Sequence, residues 1–133
     1  MKSRMFSICA GLTLLATSAS LWAHHSPSAI FDMNNKVSLK GQVTKVDWVN
    51  PHIVLYIDLN SDNGNTESWK FESNPPKWFS KVGLNRADFA SAVGQTVTVQ
   101  CVKAIDGSKY AYLLEITFPN GNSFSLRSDS EKE

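Results

Sequence analysis

Apolar and polar residues alternate along much of the chain with the two-residue period of β-strands. In the first such run the apolar residues keep one parity from Val37 to Val43, and by Trp48 they have moved to the other parity. Because strand side chains alternate strictly between two faces, this change predicts a bulge or a sharp bend near Lys45. Gly41 in mid-strand indicates the same irregularity. We therefore predict a long, coiled first strand that starts at Val37 after a polar segment.

Two more strands are predicted after the first one. Asn50-Pro51 ends the first strand, and "HIVLYIDL" then alternates with Ile53 on one face and His52 on the other. Asn63-Gly64 is typical of a hairpin turn, since both residues tolerate positive φ. The strand that follows, "ESWKFES", is expected to point its two aromatic residues toward the core.

The pattern then changes to that of short helices. Pro75-Pro76 suits the start of a helix, and "KWFSKVG" fits one or two turns that end at Gly83. A second helix is predicted in "NRADFASAVG", with Asn85 as its N-cap and Asp88 three residues later in a capping box.

Strand alternation returns in the last third of the chain. "QTVTVQCVKA" predicts a fourth strand with Val97, Val99 and Cys101 on its inner face. In the fifth, "YAYLLEITF", every second residue is apolar, and these residues are predicted to share one face: Tyr110, Tyr112, Leu114, Ile116 and Phe118. Asn120-Gly121 allows one more short hairpin after this strand.

The predicted order is three strands, a short helical connection and two strands. With a bent first strand, this is the order of an all-β fold with a short helical insert, an OB-like five-stranded barrel. An open antiparallel sheet or a small sandwich is the alternative. We place the domain at residues 37–127, an N-terminal segment at residues 24–36 and a solvated tail at residues 128–133.

Residues 1–23 have the order of a secretory signal peptide: basic residues, an apolar run and small residues. The apolar run from Met5 to Ala16 is shorter than the ~20 residues that span a bilayer. Cleavage after Ala23 would make His24 the first residue of a periplasmic protein, and cuts a few residues earlier are the alternatives. We predict no membrane span after the leader is removed.

Composition narrows the classes of partner. The chain carries 13 basic and 12 acidic residues, and loss of Lys2 and Arg4 with the leader leaves 11 against 12, a formal net charge of −1. A near-neutral domain has little attraction for phosphate backbones, so we predict no nucleic-acid partner. Cys101 is the one cysteine after the leader, which leaves no internal disulfide and favours a small buried side chain.

The stretches "AHHSPSAIFD" and "VSLKGQVTKVDWVNPHIVLYIDL" resemble a family of short exported proteobacterial proteins that is classed as a domain of unknown function, number 6152. The matching residues are His24, His25, Ser26, Gly41, Val43, Trp48, Asn50, Pro51, His52, Asp106, Gly107 and Ser108. Gly83-Leu84 departs from the Gly-Trp of the family pattern. The resemblance implies an exported protein and the extent of its domain, and it implies no activity.

The adjacent histidines after the leader indicate a candidate metal site. With cleavage after Ala23, the α-amine and the imidazole of His24 would close a chelate ring on a transition metal, and His25 or His52 would add a nitrogen. Nitrogen ligands of this kind suit copper(II), with zinc as the other candidate. The alternative is that His24 and His25 are solvated side chains on a frayed terminus.

His52 follows the turn between the first two strands, where OB barrels contact ligands. It is a candidate metal ligand or hydrogen-bond donor, or else a capping residue whose ring satisfies a turn carbonyl. As the alternative to a metal site, we predict a binding surface for a small molecule or a periplasmic protein, made by Trp48, Asn50, Tyr56 and Trp78. No nucleophile elbow, HExxH motif or phosphate-binding glycine loop is present, so we predict a binding protein and not an enzyme.

Overall fold

The computed structural model describes residues 26–126, so the predicted leader, His24, His25 and the predicted tail lie outside the described residues. The strands are β1 (Phe31–Asp47), β2 (Val54–Asn60), β3 (Thr66–Glu72), β4 (Thr96–Ala104), β5 (Tyr110–Thr117) and β6 (Ser123–Ser125). A 3-10 turn (Pro27–Ala29) precedes β1, and the helices α1 (Pro76–Lys81) and α2 (Arg86–Ala92) connect β3 to β4. Within these residues, no helix has the length and apolar character needed to span a membrane.

The strands form a closed five-stranded barrel. Their order is β3-β2-β1-β4-β5-β6, and a parallel pairing of β3 with β5 closes the sheet on itself. β6 is an additional strand that pairs antiparallel with the end of β5. This topology confirms the predicted all-β barrel with a short helical insert, and it adds one strand.

The predicted irregularity in β1 is a register shift between Val43 and Lys45, opposite β2. The shift changes which residues of β1 face the core. Val43, before the bulge, is fully buried, and Val46, after it, packs against the same core. Such a bulge bends a strand and increases its twist. One strand can therefore pair with β2 along one half and with β4 along the other.

β1 begins at Phe31 and not at Val37, where the alternation predicted its start. Phe31 pairs with Ala104 of β4, and the register shifts before pairing resumes at Lys36. Phe31 is only 2% exposed because it belongs to a second apolar cluster, on the outer face of β4 and β5. The members of this outer cluster are Phe31, Met33, Val102, Ala104, Tyr110, Tyr112 and Leu114.

The prediction of one apolar face for β5 was wrong. The register between β4 and β5 shifts between Gln100 and Cys101, so Leu114 is left unpaired as an extra residue. Beyond this bulge the faces are exchanged: Ala111 and Leu113 lie in the barrel core with Ile116, whereas Tyr110 and Tyr112 lie in the outer cluster. A bulge reverses the parity of the side chains that follow it. Because both faces of β5 are apolar, the alternation pattern does not reveal this bulge.

The helical insert covers one end of the barrel. α2 begins with the predicted capping box, in which Asn85 accepts from the Asp88 backbone N–H and the Asp88 carboxylate accepts from that of Asn85. Phe79 of α1 and Phe89 of α2 are fully buried, with ring centroids 5.2 Å apart. The core therefore runs without a break from the barrel interior into the helices.

Candidate functional site

The candidate site is centred on His52, which lies between the cis Asn50-Pro51 peptide and the start of β2. Its Nδ1 is 3.0 Å from the Ser73 carbonyl oxygen, just after β3. Because a carbonyl oxygen can only accept, Nδ1 carries the proton and donates it. In the neutral ring, Nε2 therefore holds the lone pair that would bind a metal or accept a hydrogen bond. The sequence left open whether His52 caps a carbonyl, and the structure shows that it does.

Backbone hydrogen bonds hold both sides of this contact in place. The Ser73 N–H donates to the Ile53 carbonyl oxygen at 2.9 Å, and the Ile53 N–H donates to that of Asn74 at 3.2 Å. Ser73 is fully buried, and its Oγ has no hydrogen-bond partner among the described residues. The imidazole side chain, 38% exposed, thus contacts a backbone segment that two hydrogen bonds hold in place.

Glu72 and Tyr110 extend the site away from His52. Glu72 Oε1 lies 3.6 Å from His52 Nδ1, and the other carboxylate oxygen, Oε2, accepts a hydrogen bond from the Tyr110 hydroxyl. The Tyr110 ring packs against Phe31, with centroids 5.0 Å apart. A continuous line of contacts therefore joins the first residue of β1 to His52.

Sequence reasoning missed both Glu72 and Tyr110. From the sequence, Glu72 is expected to be a solvated charge on the outer face of β3. In the structure it lies directly opposite Val54, two residues after His52. Tyr110 reads as a core residue, and only the β5 bulge turns it outward. The alternation of β3 could thus have indicated that Glu72 faces outward near His52. No local pattern indicates that Tyr110 does so.

Metal-binding groups of the described residues are few around His52. No cluster of three or more His, Cys, Asp or Glu side chains suited to a metal ion occurs within residues 26–126. His52 and Glu72 form a pair, and His24 and His25, the other predicted ligands, lie outside the described residues.

The other predicted contact residues lie in three different surroundings. Trp48 and Trp78 are half-buried and both pack on Phe79, at centroid distances of 5.7 and 5.5 Å. Asn50 is exposed in the turn before His52. Tyr56 lies on the outer face of β2, away from these tryptophans. The structure thus joins Trp48 to Trp78 through the core and leaves Tyr56 apart.

Tyr56 belongs to a row of outward residues that crosses the barrel wall. Lys45 pairs with Tyr56, Tyr56 with Lys70, and Lys70 with Tyr110. The Lys45 ammonium lies 4.9 Å from the centre of the Tyr56 ring and that of Lys70 lies 4.7 Å from Tyr110. The hydrogen bond from Lys45 to Asp47 raises the pKa of the lysine and lowers that of the carboxyl. Lysine and tyrosine side chains therefore alternate along this row, and Asp47 pairs with the lysine at its end.

Cys101 is placed where its phase with Val97 and Val99 predicts. It is fully buried in the barrel core, and burial raises the pKa of its thiol to about 11. A thiol with this pKa stays protonated at neutral pH, and the thiolate is the reactive form. This environment favours the predicted structural role.

A family model described as a family of unknown function, DUF6152, matches residues 12–112 of the chain. No curated protein and no solved structure matches the chain.

Proposed function

The chain belongs to the DUF6152 family of unknown function, and we propose that this member is an exported, non-catalytic protein that binds a transition-metal ion, copper(II) above all. In this proposal the ligands are His52 and the N-terminal pair His24 and His25, with the α-amine of His24 exposed by removal of residues 1–23.

The orientation of the His52 ring is the observation that carries the proposal. Histidines that ligate metals usually donate their other ring N–H to a carbonyl or a carboxylate, which fixes the tautomer and raises the basicity of the ligating nitrogen. His52 has this arrangement: Nδ1 donates to the Ser73 carbonyl oxygen, and Glu72 lies 3.6 Å away. Its Nε2 is the nitrogen left for a ligand.

The path of the chain before β1 also supports the proposal. Phe31 is linked to His52 through two side chains, Tyr110 and Glu72. Ser26, the first described residue, precedes Phe31 by five positions, and the 3-10 turn Pro27–Ala29 lies between them. We infer that the segment with His24 and His25 approaches the ring of His52 from this end of β1.

The donor set selects the metal. An amine and imidazole nitrogens suit copper(II), which is the most tightly bound of the first-row divalent ions and favours tetragonal geometry. Zinc accepts the same ligands with tetrahedral geometry. The α-amine, with an ordinary pKa of about 7.7–8.0, must lose its proton to bind, so affinity should rise with pH through this range.

A competition titration tests the proposal. The full chain is produced with its leader and recovered from the export compartment. Mass spectrometry of the recovered protein identifies its first residue. Copper(II) is then titrated against a chromophoric chelator. We expect one ion per chain. We expect His52→Gln to weaken binding by at least roughly tenfold, because loss of even a hydrogen-bond partner of a metal ligand costs about 10–100-fold in affinity. Glutamine keeps a donor for the Ser73 carbonyl oxygen, so this variant should fold.

The control is Asn34→Ala, a change at an exposed side chain of β1 that makes no hydrogen bond. A protein that starts at His24 but binds copper equally well with and without His52 overturns the three-histidine site. Recovery of a chain that still carries residues 1–23 overturns the export proposal. A protein that binds zinc and not copper contradicts the choice of metal.

A further inference from the structure

A groove lies between α2 and the hairpin that joins β5 to β6, and none of its lining residues belongs to the group around His52. It encloses about 260 Å³. Its apolar floor is made by Leu84, Ala92, Phe118 and Phe124, of which the first two are buried and the two aromatic residues are half-buried. The Phe118 and Phe124 rings meet edge to face, with centroids 5.9 Å apart.

The rim of the groove is polar and carries few charges. α2 and the turn after it supply Asp88, Ser91 and Gln95, and the hairpin supplies Asn120 and Asn122. Among residues 26–126, no lysine, arginine or histidine lines the groove. A ligand with a net negative charge finds no counter-ion among these lining residues, so they disfavour anions.

Several of these polar groups have unused hydrogen-bonding capacity. The Asn122 side chain makes no hydrogen bond with the described residues. Asn120 Oδ1 accepts from the Asn122 backbone N–H at 2.9 Å, which leaves its amide N–H₂ group. Gln95 Nε2 donates to the Ser91 carbonyl oxygen at 2.9 Å, which leaves its Oε1 as an acceptor. Donors and acceptors are thus interleaved around an aromatic floor.

We propose that this groove binds a neutral sugar, with one pyranose ring seated on the face of the Phe124 ring and its hydroxyl groups bonded to the rim amides. Each hydroxyl donates and accepts, as does each carboxamide, so the two sets match. The electron-rich face of an aromatic ring attracts the polarised C–H groups of a sugar face. The volume is below the ~300–1,000 Å³ of pockets for drug-sized ligands, which suits a single ring.

Organic cations are the main competitors for an aromatic groove with one carboxylate. Asp88 is a poor counter-ion for them because its Oδ2 accepts from the Asn85 N–H at 2.8 Å, at the positive end of α2. The carboxylate thus has its charge partly satisfied within the capping box. The amides, which carry no charge, remain the larger part of the rim.

NMR titration of the ¹⁵N-labelled full chain tests the proposal without any metal. The probes are methyl β-D-glucopyranoside, methyl β-D-galactopyranoside and N-acetyl-D-glucosamine, with tetramethylammonium chloride and sodium phosphate beside them. We expect saturable shifts with at least one sugar, confined to amides of residues 84–95 and 118–124, and a Kd of about 1 mM or lower.

Two variants locate the ligand. Asn122→Ala removes an exposed, unbonded side chain and should weaken binding roughly three- to tenfold, the worth of one hydrogen bond. Phe124→Leu keeps the floor apolar, removes the ring and should have a larger effect. Asn34→Ala, outside the groove, should bind as the unchanged chain does. Absence of saturable shifts with all three sugars, shifts with tetramethylammonium alone, or equal affinity in Asn122→Ala would overturn the proposal. Since no copper is present, none of these outcomes depends on the histidine site.

Discussion

Gly41 of β1 lies directly against Asp58 of β2: a Cβ at position 41 would stand 2.4 Å from the Asp58 carbonyl oxygen. It would also stand 2.6 Å from a Leu59 methyl carbon and 2.7 Å from one of Ile57. These distances are far below van der Waals contact, and one of the atoms belongs to the backbone. The two strands can approach this closely only because residue 41 has no side chain.

Gly41→Ala should therefore destabilise the barrel. We expect the free energy of unfolding to fall by about 1–3 kcal/mol, the usual cost of overpacking a tight core site. Chemical denaturation measures this loss. Lys40→Ala, at the exposed neighbouring position, should leave stability nearly unchanged. Equal denaturation midpoints for the two variants would show that β1 and β2 can move apart at residue 41 without loss of stability.

Phe31→Ala should loosen the start of β1. Phe31 is 2% exposed and packs on Tyr110 and Tyr112, with centroids 5.0 and 5.6 Å away. Removing a buried phenyl ring costs about 3–5 kcal/mol. The Ile105 N–H, which donates to the Ile30 carbonyl oxygen at 2.9 Å, should exchange with solvent faster in this variant.

Hydrogen exchange followed by NMR, with denaturation, checks this prediction. Ser38→Ala, at an exposed position of the same strand, is the matched control. Unchanged exchange at Ile105 in Phe31→Ala would mean that the outer cluster does not hold this part of β1.

Asn85→Ala should remove the capping box of α2. The Asn85 side chain accepts from the N–H groups of Ala87 at 2.7 Å and Asp88 at 3.3 Å. Loss of an N-cap side chain costs about 0.5–2 kcal/mol. Thermal unfolding should show a lower Tm than for Ser80→Ala, an exposed change on α1. A Tm equal to that of the control would argue against the cap.

Cys101 should make stability depend on pH in the alkaline range. Its pKa is about 11 in the fold and 9.0 without it, so the native state favours the protonated thiol. This contribution is complete below pH 9.0 and is lost as pH rises toward about 11. Relative to Cys101→Ala, the chain should lose stability over this window.

Denaturation curves of both proteins across that window measure the difference. Parallel losses in the two proteins would contradict the prediction. At neutral pH, the native thiol should also react with a thiol reagent far more slowly than the thiol of the unfolded chain.

Local sequence patterns predicted much of the fold. The parity change before Trp48 located the β1 bulge, and the spacing of Asn85 and Asp88 located the start of α2. Both features are written within a few consecutive residues. The order of elements along the chain predicted an OB-like barrel, and the closed five-stranded barrel confirms it.

Features that depend on pairing between strands far apart in sequence were not predicted. Residues 32–36 are mostly polar, and the packing of Phe31 and Met33 in the outer cluster draws them into β1. The β5 bulge depends on its register with β4, and both faces of β5 are apolar. Around His52, the sequence located the histidine but not its carbonyl partner, because Ser73 lies on another strand's end. The ligands of the proposed metal stay a prediction.

The closing seam of the barrel has a consequence for how the chain folds. Three residue pairs make the parallel contact between β3 and β5, and they bring residue 70 beside residue 110. Contacts between distant parts of a chain cost the entropy of closing the long loop between them, which slows folding. We expect the hairpin of β2 and β3 and that of β4 and β5 to form early, and the wall to close only when both are in place.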